Sequence, residues 1–461
     1  MVRSAVRRCL GLAAVALPLI AFGAESETGP ATDRVPFASS YQPLPAQAVL
    51  LKNATILTGT GQRLEHGDVL IADGRIRQVG SDLAAGAASE YDASGLWLTP
   101  GIIDVHSHIG VYSNPGVEGH SDGNESVAPN TAEVWAEHSV WPQDPAFITA
   151  LAGGITTLQI LPGSANLFGG RGVTLKAVPG VSVMDMKFPD APYGMKMACG
   201  ENPKRLYKSR RRSPATRMGN IAVVREAWID ATEYRDKLQA HAEGHGKKPK
   251  RDLELETLAG ALNGEILVHN HCYRADEMSL MIDVAHEFGY QITAFHHAVE
   301  AYKIADKLRD NGICSAIWAD WWGAKMEAFD GIPANGVILD QADACVVVHS
   351  DSKVGIQRLN QEAAKIMRAA AEVDIEIAPE HAIQWISKNA AEALGILEQT
   401  GTVEPGKMAD LVLWSHNPFS VYARPVRVYI DGAVAFDLDD QSANPVSDFS
   451  LGTTSLHEAQ P

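Results

Sequence analysis

Apolar positions along this chain keep two different rhythms. From Ala48 onward, apolar runs at 49–57 and 67–76 bracket or flank Asp73-Gly74. An Asp-Gly pair between apolar runs is a strong tight-hairpin signal. The same rhythm returns near the C-terminus, with Ala409 to Trp414 as one run and Val426 to Ile430 followed by Asp431-Gly432. Two β-rich ends so far apart predict one small β-sandwich built from both, over 46–100 and 396–436.

The stretch between them alternates. Strand-like runs fall at 102–105, 156–160, 194–198, 265–269, 291–295, 313–317 and 344–348. Helical patterns separate them. In Ala275 to Phe288, Met278, Met281, Ile282 and Ala285 share one helix face, and Gly289 is the expected stop. Such alternation predicts a parallel sheet with helices outside. About eight units fit in 101–395, the size of an α/β (β/α)8 TIM-type barrel. Gly163 to Gly172 is glycine-rich but lacks the lysine and spacing of a phosphate loop, so it reads as a flexible loop. Gln239 to Arg251 reads as an exposed helix end or loop. The basic run Lys204 to Arg217 reads as a solvated loop, or as a rim for an acidic substrate group.

Charge narrows the partners. The 461 residues carry a net charge of −17. That opposes nucleic acid and anionic membrane surfaces, which both reward clustered positive charge. Arg3, Arg7 and Arg8 precede a short apolar stretch from Leu10 to Phe22 and small residues at Ala21 to Ala24. Residues 1–24 therefore read as a secretory signal peptide, too short for a membrane span. The mature chain offers no other span, and export to a periplasm or the exterior is expected. Cys9 leaves with the signal. Cys199, Cys272, Cys314 and Cys345 remain, widely spaced and without a Cys-x-x-Cys. They are predicted to be small core residues that stay reduced.

The chemistry gathers at strand ends. Ile102 to Val105 runs into His106-Ser107-His108, and residues i and i+2 of a strand share a face. Two neutral imidazoles so placed can grip one divalent metal. His269 and His271 follow another apolar run, His296 and His297 the next, and Asp351 the last, after His349-Ser350. Barrel active sites lie at that end of the strands. Trp318, Trp321 and Trp322 are candidates for an apolar subsite or for core packing.

These motifs, with Gly401-Thr402-Val403-Glu404-Pro405-Gly406-Lys407-Met408-Ala409-Asp410 leading into the last strands, resemble the amidohydrolase superfamily, closest to imidazolonepropionase-like and prolidase-like members. The resemblance covers about residues 46 to 436. It implies one or two divalent metal ions, with Zn2+ expected, and a metal-activated hydroxide that attacks a C–N bond. His106, His108 and Asp351 would hold one ion. One histidine each from the fifth and sixth strands would hold a second, with His269 and His297 the better matches and His271 and His296 the alternates. Asp351 would serve as general base and then acid. A carboxylated Lys196 would bridge the ions, since a buried lysine has a lowered pKa and reacts as the free amine; Glu201 is the rival bridge. Arg171 and Arg274 are candidates for a substrate carboxylate.

The implied substrate is a small molecule or short peptide, as for a dipeptidase or N-acyl amino acid amidase; a homo-oligomer is compatible. A one-metal cyclic-amide hydrolase or a deaminase is the alternative. Deaminase relatives often carry a glutamate three residues after the fifth-strand histidine, and here those positions hold Cys272 and Arg274. A non-catalytic scaffold would have lost ligands, whereas this chain keeps a full set.

Overall fold

Two eight-stranded sheets organise the chain. The computed structural model describes residues 37–447 except 322, 324, 441 and 443. The signal-peptide expectation for 1–24 and the subsite expectation for Trp322 lie outside the described residues.

The strands in chain order are β1 (Val49–Leu57), β2 (Arg63–Ala72), β3 (Arg75–Gly80), β4 (Ser89–Asp92), β5 (Trp97–Pro100), β6 (Ile102–Ser107), β7 (Ile155–Ile160), β8 (Phe168–Lys176), β9 (Gly194–Ala198), β10 (Leu267–His271), β11 (Ile292–His296), β12 (Cys314–Ile317), β13 (Val346–Val348), β14 (Leu411–Trp414), β15 (Pro425–Ile430) and β16 (Ala433–Asp437). One sheet runs β16-β15-β14-β5-β1-β2-β3, with β4 also pairing β1. The two chain ends thus join in one continuous sheet, around a core that includes Leu51, Ile56, Val69, Leu411 and Leu413. Both Asp-Gly pairs turn hairpins. Asp73 and Gly74 have φ of 53° and 74°, Asp431 and Gly432 of 47° and 74°, as a type I′ turn requires.

The second sheet is a TIM-type barrel sheet with β6 to β13 in sequence order. Between β13 and β6 the circle is drawn together by side chains and loops. Asp351 N–H donates to the His106 carbonyl at 3.0 Å, and Ser350 N–H to Asp104 Oδ1 at 3.2 Å. Around the sheet lie α1 (Pro145–Ala152), α2 (Glu201–Ser209), α3 (Arg217–Ala242), α4 (Leu253–Leu262), α5 (Ala275–Phe288), α6 (Ala305–Asp310), α7 (Asn335–Gln341) and α8 (Leu359–Ala371). The helix expected at Ala275 to Phe288 is α5, and Gly289 ends it in the left-handed conformation, φ 75°. No helix among the described residues is long and apolar enough to cross a membrane.

Four expectations change. The first concerns the glycine-rich stretch, which is no flexible loop. Its second half enters β8, a largely buried strand antiparallel to both β7 and β9, so the barrel departs from eight parallel units. Its glycines permit close packing: a Cβ at Gly170 (φ 102°) would lie 2.2 Å from the Val134 carbonyl oxygen, and one at Gly172 2.5 Å from Leu161 Cδ2. Secondly, the basic run is mostly ordered, as α2 and the start of α3. Arg210 and Arg212 donate to the carbonyls of Ser126 and Val127, and Arg217 pairs with Glu277 and Glu327. Thirdly, the cysteines are paired, Cys199–Cys272 with Cα atoms 5.3 Å apart and Cys314–Cys345 at 4.5 Å. Each pair spans neighbouring parallel strands, and the crossover helices hide that nearness in the sequence. Lastly, β10 is displaced two residues and β11 one residue C-terminal to the predicted runs. That displacement decides which histidines end the strands.

Candidate metal centre

His106, His108, Lys196, His297 and Asp351 converge at the C-terminal end of the barrel strands. His106 Nε2 lies 3.3 Å from His108 Nε2, 3.3 Å from Lys196 Nζ and 3.7 Å from Asp351 Oδ1. His108 Nε2 is 3.2 Å from Asp351 Oδ1, and His297 Nε2 is 3.7 Å from Asp351 Oδ2. Two sets bring their ligand atoms within 4.8 Å of one another: His106, His108 and Asp351, and His106, His297 and His349. His297 and Asp351 both hold left-handed backbone, φ 60° and 47°, an uncommon conformation that recurs at functional sites.

The surrounding hydrogen bonds fix which nitrogens are free. His108 Nδ1 donates to the Leu161 carbonyl at 2.7 Å, leaving Nε2 a lone pair toward the centre. A chain lies behind His106. Its Nδ1 is 2.9 Å from His296 Nδ1, His296 Nε2 is 2.9 Å from His269 Nδ1, and His269 Nε2 is 3.3 Å from the Gln159 amide. If His106 presents its Nε2 lone pair, every proton in this chain points away from the centre. The acceptor at its end is the Gln159 carbonyl, in the amide orientation that gives its otherwise partnerless Oε1 a donor. His269 and His296 therefore have both nitrogens engaged behind the site.

This corrects the preference for His269. Because β10 ends at His271, His269 sits mid-strand beneath the centre. His271 ends the strand with its ring centroid 4.8 Å from that of His297 and its buried Nδ1 without a partner. On the sixth strand, His297 reaches Asp351 and the alternate His296 lies behind. His349, which sequence reasoning passed over, has Nε2 2.9 Å from His297 Nδ1 and orients that ring. Its place directly after the apolar run of the last strand and two residues before Asp351 was the available signal. Asp104 was also missed. It accepts from the His106 N–H at 3.1 Å and from the Ser350 hydroxyl, and burial pushes its carboxyl up to about 7.

Burial dominates the electrostatics. It holds His106, His271 and His297 well below the ordinary imidazole range, with Lys196 adding to the shift. Such rings are neutral at pH 7 and available as donors to a cation. Lys196 is lowered to about 8 by burial; its Nζ also donates to the Pro162 carbonyl at 3.1 Å. Burial pushes Asp351 up, but the hydrogen bond with His108 and the charges of His108, His349 and Lys196 outweigh it and hold the carboxyl below its usual value. Neutral imidazoles, one carboxylate and a poorly solvated amine form a donor set suited to a divalent ion of the zinc type.

The remaining candidates lie farther out. Glu201 opens α2; its charge acts on Lys325 and Glu327, and among the described residues no hydrogen bond or ion pair joins it to the convergent atoms. Arg274 holds Asp276 through bonds of 2.9 and 2.8 Å at the exposed start of α5. Arg171 follows Gly170, the register partner of Lys196, and so points to the opposite face of the sheet. There it donates to Thr257 Oγ1 at 2.8 Å and lies 4.2 Å over the Trp135 ring. Neither arginine meets the centre. Trp318 does, stacking on His297 at 4.4 Å, with Trp321 stacked on it in turn at 5.2 Å. A cavity of about 410 Å³ reaches Pro162 and Gly169 beside Lys196, whereas a larger one of about 680 Å³ against α1 touches none of these residues.

Known proteins resemble this chain in sequence and fold. The profile of the Amidohydrolase family matches residues 97–440. The amidohydrolase tasK of Hapsidospora irregularis is 34% identical over 432 residues, covering 87% of this chain and 43% of tasK, so the chain spans less than half of that relative's length. The imidazolonepropionase of Mesorhizobium japonicum is 24% identical over 391 residues, covering 76% of this chain and 87% of its own. The solved structure of an amidohydrolase from Thermotoga maritima MSB8 superimposes with a TM-score of 0.78 at 35% identity, covering 84% of this chain and all of that one.

Proposed function

The chain belongs to the amidohydrolase family of metal-dependent hydrolases acting on C–N bonds, and we propose that it is an exported enzyme that cleaves amide bonds of dipeptides or N-acyl amino acids at a two-metal centre. The observation that carries this is the approach of Lys196 Nζ to His106 Nε2, 3.3 Å, with no carboxylate at that distance from the amine among the described residues. As the free amine, Lys196 would add to CO2 with loss of a proton and so supply a carbamate, the anionic ligand that two neighbouring cations need. His106, His108 and Asp351 would hold one ion; His271 and His297, oriented by His349, would hold the other. Zn2+ is the ion these ligands favour.

Bound ions of this kind polarise the scissile carbonyl and lower the pKa of water toward neutrality. The protein does the rest. Asp351, kept ionised by His108, accepts the proton of the attacking water and returns it to the leaving nitrogen. The chain from His106 to Gln159 holds the first imidazole in one tautomer and orientation. Trp318 shields the His297 side from water. Export is supported by the signal-like leader and by two disulfides, which persist in oxidising compartments. We also read 46–100 with 396–436 as a small β-sandwich domain and 101–395 as the barrel, because the terminal strands share one sheet and one core.

Elemental analysis of the mature protein, with a crystal structure of Lys196, tests the reading. Two zinc ions per chain and carbamate density on Lys196 are expected. Lys196→Ala should lose activity sharply and regain part of it with added short carboxylic acids, while Glu201→Gln keeps two metals. One metal beside an unmodified Lys196 would replace this reading with the one-metal cyclic-amide hydrolase, and second-metal loss in Glu201→Gln alone would make Glu201 the bridge.

A further inference from the structure

Beside the centre stands Lys325, a second amine with no carboxylate within 4.0 Å among the described residues. Lys325 closes the loop after β12 and precedes the short helix Met326–Ala328. Its Nζ lies 4.6 Å over the Tyr273 ring and donates to Asn202 Oδ1 at 3.2 Å. Asn202 Nδ2 is in turn 3.5 Å from His271 Nε2 and 2.8 Å from Ser164 Oγ. The ammonium is thus two polar contacts from the His271 ring. Tyr273, beneath it, is also stacked near His297, with ring centroids 5.7 Å apart.

Two other half-buried cations are neutralised at short range. Lys187 meets Glu137 at 2.7 Å, and Arg217 meets Glu277 at 2.9 Å. Among the described residues, Lys325 has no carboxylate within 4.0 Å; Glu201 and Glu327 act on it only from farther away. A partly desolvated charge with only a neutral amide and an aromatic face is under-compensated. A carboxylate is a stronger acceptor for an ammonium than the Asn202 amide oxygen. Arg171 and Arg274, the sequence candidates for such a carboxylate, are committed elsewhere.

We propose that Lys325 is the specificity residue that receives the free carboxylate next to the scissile amide, with Tyr273 and Asn202 holding its ammonium in place. The substrate class narrows accordingly to N-acyl amino acids and dipeptides with an unblocked C-terminus. This rests on the reading of the centre as an amide hydrolase.

The test uses the zinc-loaded mature protein and a panel of N-acetyl amino acids and dipeptides, each as the free acid and as the carboxamide. The acid should exceed its amide by about 10²-fold in kcat/KM, because a site built for a polar group rejects the analogue lacking it. Lys325→Met should lower kcat/KM for acids by about 10- to 100-fold, through KM with kcat little changed. Lys325→Arg should restore the preference. Equal turnover of acids and amides, or a preference that survives Lys325→Met, overturns the assignment. Cleavage of no panel member would instead sink the amidase reading. Calorimetric titration with the same pairs then decides on Lys325 alone: acids that bind no better than amides, or do not bind, overturn it.

Discussion

Two lysines twenty residues apart show what a buried amine means in this molecule. Lys176, at one end of β8, and Lys196, in β9, are both fully buried. Lys176 Nζ lies 2.7 Å from Asp431 Oδ2 and 3.3 Å from both oxygens of Asp410, and the Tyr41 hydroxyl donates to Asp431 at 2.5 Å. Lys196 has an imidazole nitrogen and a carbonyl oxygen instead. The first is a saturated ionic knot at the N-terminal end of the barrel, where residues serve stability. The second, lowered to about 8, leaves roughly a tenth of its amines unprotonated at pH 7. Burial is common to both; the difference lies in whether carboxylates accompany it. Compensated burial makes structure, and uncompensated burial makes reactivity.

The sharpest way to break that contrast is to strip the reactive end. His106→Ala with His108→Ala should release most of the metal and abolish turnover; full retention by elemental analysis would remove the ligand assignment. Asp351→Asn, loaded with metal and checked for occupancy, should lose roughly 10² to 10⁴ in rate. Near-normal turnover would take the proton-transfer role from it. At the other end, Lys176→Met should leave two carboxylates buried without their cation and cost about 3–5 kcal/mol in denaturant unfolding, while the folded fraction keeps its activity. A stable but inactive Lys176→Met protein would contradict the division of labour. Cys314→Ala with Cys345→Ala should cost about 2–4 kcal/mol, and a variant as stable as the parent would mean the bridge does not form in solution. The smallest effect on turnover is expected at Arg171→Gln, whose KM should stay within about twofold of the parent, because its partners are Thr257 and Trp135 and not the centre.

Much of this was legible in the chain. His106-Ser107-His108, the two Asp-Gly hairpins and α5 with its Gly289 stop follow from local rules, and each is where those rules put it. What depended on neighbours in space was not legible. β8 carries glycines because Val134 and Leu161 press against it, and nothing in its own sequence announces that crowding. The choice of His271 over His269 turned on a two-residue strand boundary, the least reliable feature of any pattern reading. The cysteine pairs are 73 and 31 residues apart in sequence and adjacent only once parallel strands align. Arg171 looked available because its residue type suits a carboxylate; the register of β8 turned it outward.

The ionic knot also bears on the order in which the molecule can be made. The strands of the barrel sheet are all synthesised once Val348 has emerged. Lys176 nevertheless has no counter-charge until Asp410 and Asp431 arrive, and β1 and β5 have no β14 to complete their sheet. A nascent chain therefore carries an unneutralised ammonium at the base of its barrel until Asp410 and Asp431 are translated. Folding that waits for these two aspartates forbids cutting the barrel free as a minimal catalyst: the excised 101–395 segment would carry its own unpaired charge into the core.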